Sequence, residues 1–568
     1  MSIATRLVLL ASLALTSCAT PTASTPTGPP QADKPFVIAA NPLAAAAGIE
    51  VLKRGGSAVD AAVAVQAMLS LVEPQSSGVG GGAFMTYYDG ASRKITIYDG
   101  RETAPAQASP AMFLDAAGQP LPFADAVLSG RSTGVPGAVA MLGMAQREHG
   151  RLQWSSLFGS AERTAAEGFT VSPRLGRLIA GDFPENKAPD VIAYFRNADG
   201  TRMKAGDTLK NPAYAAFLKR LATQGPTALL GGETGGRIVA RTRAGPTGGS
   251  MTMADLAAYR PIKREPLCRP YRIYIVCAPP PPSSGVAILQ LLGLLERTDI
   301  AKRGPGDPRA WFLFAEASRL MYADRDQYVG DPAMVGVNVG GLLSKAYLDE
   351  RAKLIGVQAG PPPVAGSPQG MPVYAADRTR EPAGTSHFIV RDAAGHVVSM
   401  TTTVESIFGS GRMVDGFFLN NQLTDFSFAP YDFNGLPLAN SVAPGKRPRS
   451  SMIPLILTTK DGRFAGAIGS AGGSAILAYV GKSLVAAVDW GLPMQDAIAA
   501  PNLVARGKSF NGEVTKFSPA ILAELAARGI LLKPGQGEDS GVHGVLIRDG
   551  RIDGGFDPRR EGVVLILP

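Results

Sequence analysis

Thr385 follows Gly384 at the end of an irregular segment and opens the strand-like run 385–390. Cutting the Gly384–Thr385 bond would give one residue both a hydroxyl and a free α-amine. That amine has a lower pKa than lysine and can act as general base for its own hydroxyl. No separate triad is then required. The four histidines, His149, His387, His396 and His543, have no triad-like or metal-ligand spacing. Local pattern alone favours a plainer reading, in which Thr385 is just the first residue of a strand.

A second chemical signal is the turn 469–473, Gly-Ser-Ala-Gly-Gly. It follows a predicted strand at 464–468 and precedes a helix expected to start at a Ser474 cap and run to about Trp490. A strand, a Gly-rich turn and a helix N-terminus together offer backbone N–H groups to an anion.

The elements that must hold these residues are legible in outline. Strands are expected at 385–390 and 397–404 around a turn at 392–395, with a short third at 417–419. Helices are expected at 42–54 and 57–72, each with signals for its start or stop, and the region 140–350 reads as largely helical. Pro279 to Gly285 makes a rigid break between a strand and a helix at 286–295. The Gly-rich run 76–82 leads into a strand, lacks a Gly-Lys-Ser/Thr ending and opens no helix. It therefore fits a tight turn or close backbone approach better than a phosphate loop. Residues 351–384 lose periodicity and collect Pro, Gly and charge, as expected of an exposed linker.

Several motifs occur together in order: Gly55-Gly56-Ser57-Ala58-Val59-Asp60, Asp99-Gly100-Arg101-Glu102-Thr103-Ala104-Pro105, Pro280-Pro281-Pro282-Ser283-Ser284-Gly285 and Thr385-Ser386-His387-Phe388. They continue with Gly409-Ser410-Gly411, Leu419-Asn420-Asn421-Gln422, Asp425-Phe426-Ser427, Lys446-Arg447-Pro448-Arg449-Ser450-Ser451-Met452, Gly469 to Ser474 and Asp557-Pro558-Arg559-Arg560. Over about residues 36–568 the chain resembles the γ-glutamyltransferase family. The resemblance implies a mixed α/β (α+β) fold, the four-layer αββα sandwich of N-terminal-nucleophile hydrolases. It implies cleavage at 384/385 into a large subunit, reaching to 384, and a small subunit, 385–568, intertwined in one heterodimeric unit.

The resemblance also implies roles. Thr385 is the nucleophile, Thr403 supports its hydroxyl, and Gly472 and Gly473 form the oxyanion hole. Arg101, Ser450 and Ser451 match carboxylate-binding positions; Gln422 and Asp425 match ammonium-binding ones. The implied partners are small γ-glutamyl donors such as glutathione, with water, amino acids or peptides as acceptors. No metal or organic cofactor is implied.

Two departures concern the substrate. Glu405 stands where the family commonly has Asn, so it either strengthens ammonium binding or signals a different acyl group. The lid-like stretch 428–440 is several residues shorter than the long-lid form, which should open the pocket. An acylase of the same fold, acting on glutaryl amides of cephalosporin precursors, is the alternative enzyme. Such a donor has no ammonium for Glu405 and Asp425 to hold. A non-catalytic anchored binding protein is disfavoured because Thr385, Thr403 and the Gly pair are all present.

The 568 residues, 45% hydrophobic and 18% charged, are a packed globule's composition. The net charge of +9 comes without a basic run of five or more, which argues against nucleic-acid binding. Residues 1–18 carry Arg6 and an apolar stretch too short to span a membrane, ending Leu15-Thr16-Ser17-Cys18. That pattern predicts export to the periplasm, with Cys18 lipidated and residues 19–35 a disordered tether; the alternative is a plain signal peptide. Cys268 and Cys277 flank a hairpin-like stretch and could pair, but spacing leaves their geometry open.

Overall fold

A computed structural model describes residues 32–245, 247–535 and 540–568. The export segment, Cys18 and the tether up to residue 31 lie outside the described residues. Two antiparallel sheets form the centre. In chain order their strands are β1 (Phe36–Ala39), β2 (Gly82–Tyr88), β3 (Ile95–Gly100), β4 (Ile262–Arg264), β5 (Leu267–Tyr271), β6 (Tyr274–Ala278) and β7 (Gly384–Arg391). Then follow β8 (Val397–Glu405), β9 (Leu455–Thr458), β10 (Phe464–Gly469), β11 (His543–Arg548), β12 (Arg551–Phe556) and β13 (Val563–Ile566). The first sheet runs β13-β1-β7-β8-β2-β3-β4 and the second β12-β11-β10-β9-β6-β5.

The layering follows from the period-2 alternation of strand side chains. In β1, Phe36 and Ile38 enter an apolar cluster between the sheets, with Ile389 of β7, Ile456 of β9 and Val545 of β11. Their neighbours Val37, Ala39, Phe388 and Val390 face the helices over the first sheet. Leu455, Leu457 and Leu546 face those over the second. Three apolar clusters thus separate four layers, the αββα sandwich expected from the resemblance.

The covering helices are α1 (Pro42–Lys53), α2 (Ala58–Val72) and α3 (Ala138–His149) on one side. On the other are α4 (Gly285–Glu296), α5 (Pro308–Tyr328) and α6 (Ile476–Leu484). Asn41 caps α1 through its side-chain oxygen, and Ser57 and Asp60 close a reciprocal capping box on α2. Ser474 is not a helix cap: a 3-10 turn at Gly473–Ala475 intervenes, α6 begins at Ile476, and the cap position is Ala475 without a side-chain bond. Paired Gly residues at positive φ (Gly472 131°, Gly473 55°) bring the chain in by that turn, so Ser474 lies inside it.

The large- and small-subunit segments share both sheets: β7 and β8 insert between β1 and β2 in the first, and β9 pairs with β6 in the second. Cys268 and Cys277 face each other across β5 and β6 and form a disulfide, Cα–Cα 4.1 Å. Ile389 is fully buried between the sheets. Ile389→Ala should therefore destabilise the fold by about 3 kcal/mol in chemical denaturation, through lost transfer energy and a cavity the paired sheets cannot close. A cost under about 1 kcal/mol would show that this layer collapses around the gap.

Candidate active site

Thr385, His387 and Ile389 occupy one face of β7, and Ile389 marks it as the face between the sheets. Thr385 is therefore directed inward at the end of its strand. It pairs in register with Thr403 of β8, after which the ladder shifts and Glu405 pairs with Gly384. This bulge holds Glu405 at φ 85°, a left-handed conformation costly for a residue with a Cβ, and the surrounding pairing imposes it. The Gly-rich approach to β2 is a close backbone contact: a Cβ on Gly81 would lie 1.9 Å from the Thr403 carbonyl oxygen.

The uncleaved Gly384–Thr385 bond sits within a hydroxyl relay. Thr385 Oγ1 donates to Thr403 Oγ1 at 3.3 Å, and Thr403 Oγ1 donates to the Gly384 carbonyl at 2.5 Å. The Glu405 backbone N–H donates to the same Thr403 oxygen at 2.8 Å, and Arg560 Nη1 holds the Thr385 carbonyl at 2.7 Å. Thr403 thus touches both the hydroxyl that would attack and the oxygen that would gain charge.

A small cavity of about 20 Å³ adjoins this bond. Thr385, Thr403, Glu405, Gln422, Asp425, Arg101, Ser450, Ser451 and Gly473 line it, together with Glu381, Pro382, Met452 and Ile476. Gly472 falls outside that lining and borders a neighbouring cavity of about 380 Å³ together with Pro382, Ala383 and Arg560. The ten residues singled out from sequence therefore meet at one place, nine around the small cavity and Gly472 one step away. None of the four histidines lines either cavity. Burial drives His387, bonded to Thr401 at 2.9 Å, well below the usual imidazole range. Among the described residues, no cluster of three or more His, Cys, Asp or Glu side chains could hold a metal ion.

Charge in the site is divided. Asp425 Oδ2 accepts from Arg101 Nη2 at 2.5 Å and from Gln422 Nε2 at 2.6 Å. Burial raises its carboxyl, against the pull of Arg101. Burial and the facing Asp425 push Glu405 well above the usual carboxylate range. Glu405 and Asp425 share a side-chain hydrogen bond, and Gln422 Oε1 is buried with no hydrogen-bond partner. Arg101 also donates to the carbonyls of Pro448 and Arg449, so its guanidinium is engaged by the protein itself.

The linker departs from expectation at its end. Val357, Val364 and Val373 are exposed, but Asp377 and Glu381 are buried. Glu381 accepts from Ser451 Oγ at 2.5 Å, Arg325 Nη2 at 2.8 Å and Arg449 Nη2 at 3.1 Å. The counter-charges lie on other elements, so the composition of the linker gave no sign of its burial. Sequence reasoning passed over all three charged residues. Arg449 lay in view beside Ser450 in the Lys446–Met452 motif, whereas Arg325 sits in a 21-residue helix without a local signal.

The gamma-glutamyltranspeptidase family matches residues 44–567. The chain belongs to that family. It is 35% identical over 549 residues to a glutathione hydrolase proenzyme of Bacillus subtilis strain 168, covering 93% of this chain and 91% of that protein. It is 34% identical over 549 residues to the acylase ACY 1 proenzyme of Pseudomonas sp. strain SE83, covering 95% and 94%. A solved cephalosporin acylase from Bacillus halodurans superposes with TM-score 0.83 at 27% identity, over 97% of this chain and 99% of that one.

Within this gamma-glutamyltranspeptidase-family chain, the Thr403 contacts make a direct prediction about cleavage. Thr403→Ala should slow appearance of the two fragments by about 100-fold on denaturing gels, the cost of one lost oxyanion donor. Thr403→Ser should restore most of the rate. Normal cleavage of Thr403→Ala would remove the hydroxyl from the mechanism.

Proposed function

We propose that this protein is a self-processing γ-glutamyltransferase and glutathione hydrolase acting through a Thr385 acyl-enzyme. The observation that carries the reading is the acceptor group beside Thr385. Glu405, Asp425 and Gln422 line the cavity, two carboxyl groups face each other there, and Gln422 Oε1 lacks a donor. An α-ammonium supplies an N–H group to that oxygen and a charge that compensates the paired carboxyl groups. A γ-glutamyl donor has such a group, and a glutaryl donor does not. The likeness to cephalosporin and ACY 1 acylases favours the acylase as a second reading, and the acceptor group weighs against it.

Processing begins when Thr385 Oγ adds to the Gly384 carbonyl carbon while Thr403 donates to the carbonyl oxygen. The C–N bond breaks, the hydroxyl proton passes to the Thr385 nitrogen, and an ester joins Gly384 to Thr385 Oγ. Water hydrolyses that ester to give the two subunits. In turnover the freed amine takes the Thr385 hydroxyl proton as Oγ attacks the donor amide. The N–H groups of Gly472 and Gly473 meet the oxyanion, and the leaving amine departs with the proton. Water, an amino acid or a peptide amine then takes the acyl group. Arg101, Ser450 and Ser451 border the end of the cavity assigned to the donor carboxylate. We place the mature protein outside the cytoplasm, anchored through Cys18, on the basis of residues 1–18 alone.

Wild type should run as two fragments and release aniline from a γ-glutamyl anilide, whereas Thr385→Ala should remain one inert chain. An active, uncleaved wild type would sink the mechanism. A second expectation concerns pH. Glu405 holds its proton above the usual carboxylate range, and an ammonium binds best to its ionised form. KM for a γ-glutamyl donor should therefore fall as pH rises through that raised value, and Glu405→Gln should flatten the slope. A slope unchanged in Glu405→Gln would assign the titration to another group.

A further inference from the structure

The end of the sandwich opposite Thr385 carries a cavity of about 720 Å³. Five hairpin turns meet around it, joining β2 to β3, β5 to β6, β7 to β8, β9 to β10 and β11 to β12. Arg391 in its wall stands six residues after the nucleophile on β7, which puts the cavity about 20 Å from Thr385. The chain enters the described fold at the same place. Ala32 and Asp33 line the cavity, and the Ala32 N–H donates to the Gly550 carbonyl at 2.9 Å.

Arg93, Arg391 and Arg463 line the cavity, against Asp33. Arg391 Nε is buried and has no acceptor, while its Nη atoms reach the Lys34 carbonyl at 3.2 Å and the fully exposed Asp33 at 3.4 Å. Arg93 and Arg463 share Asp461 at the rim, at 3.8 and 2.8 Å, with about half or more of each side chain exposed. Such open pairs are weak, so both guanidiniums remain available to a further anion. The exposed Lys94, Lys460 and Arg551 stand on the same turns, beside Asp89 and Asp549, and cations outnumber carboxylates there. Ile273, at the tip of the β5–β6 turn, is 68% exposed in the wall of the same cavity. An apolar side chain among cations suits the headgroup boundary of a bilayer.

Cys18 lies fourteen residues before Ala32, a stretch that reaches at most about 50 Å. A lipid on Cys18 would hold this end within that distance of the bilayer, where even a weak surface contact becomes intramolecular and well populated. Guanidinium forks match phosphate oxygens, and cations near an anionic leaflet gain from its surface potential. We infer that the hairpin end of the sandwich is a docking surface for an anionic lipid bilayer, with Arg93, Arg391 and Arg463 on the lipid phosphates and Ile273 entering the headgroup boundary. The setting rests on the lipid-anchored reading of residues 1–18; the chemistry of the surface does not. Docked this way, the protein turns the Thr385 end of its sheets away from the membrane, toward donors in solution.

The mature chain from residue 19, made without lipid, retains every residue of the described fold and is tested by sedimentation with vesicles. It should bind phosphatidylglycerol vesicles, leave phosphatidylcholine vesicles alone and be released by high salt. Arg93→Gln combined with Arg463→Gln should weaken binding by about 25-fold, about 5-fold for each cation lost near an anionic surface. Cleavage into two fragments and the melting temperature should stay at their wild-type values, because both side chains are exposed and far from Thr385. Should the double variant fail to fold, Ile273→Ser at its exposed position should also weaken vesicle binding. Absence of binding, equal binding to both vesicles, or full binding by the folded variants would overturn the docking surface. The mass of the wild-type large fragment from cells tests the anchor separately. A lipid-free Cys18 would overturn the anchored reading, while the vesicle result alone decides the surface.

Discussion

The pairing of Thr385 with Thr403 across β7 and β8 is the contact on which the rest of the site depends. It directs the nucleophile to the inner face of a sheet and sets its hydroxyl against a second hydroxyl that already holds the Gly384 carbonyl. It also places the bulge that turns Glu405 into the cavity lining. Both strands lie in the middle of the first sheet, and at Thr385 itself β8 pairs on one side while Arg560 holds the carbonyl. A buried strand end held in this way is a rigid support for a reaction that needs the attacking oxygen aligned with one carbonyl.

Around that contact the protein separates charge. The acceptors Glu405, Asp425 and Gln422 gather on the bulge and the turn that follows, while Arg325, Arg449 and Ser451 gather where α5 meets the strand-entry loop of the second sheet. Such an arrangement matches a donor that carries both an ammonium and a carboxylate. It is costly to leave empty, because buried groups of either sign demand partners. In the uncleaved chain the cost is met differently on the two sides. Glu381 and Asp377 fill the cationic side, and Glu405 holds a proton on the anionic side. The linker therefore does more than present a scissile bond: its carboxylates are the partners of two buried guanidiniums.

Much of the fold was legible because its signals are local. Asn41-Pro42 and Ser57 with Asp60 mark helix starts through backbone capping, and the alternation from Thr385 to Val390 and from Val397 to Val404 marks strands. The misreadings have one common cause. Ser474 is a good capping residue by type, but two Gly residues at positive φ set a tighter turn and place it past the point where a cap acts. The 351–384 segment has a linker's composition, yet its last residues are buried by arginines that come from α5 and from the loop before β9. Neither fact can be read within a window of neighbouring residues.

The amino-acid sequence determined the parts that rest on residue type and order. These are a threonine with a hydroxyl and a latent amine, a glycine pair before a helix, the serines and carboxyl groups of a binding site, and the strand–turn–helix pattern that carries them. Tertiary structure decided which charges meet. It engaged Arg101 with Asp425, gave Glu381 to Arg325 and Arg449, and brought Glu405 beside Asp425 through a bulge. The reason is physical: propensity and periodicity act over a few residues, whereas a buried ion finds its partner through space, across elements far apart in the chain.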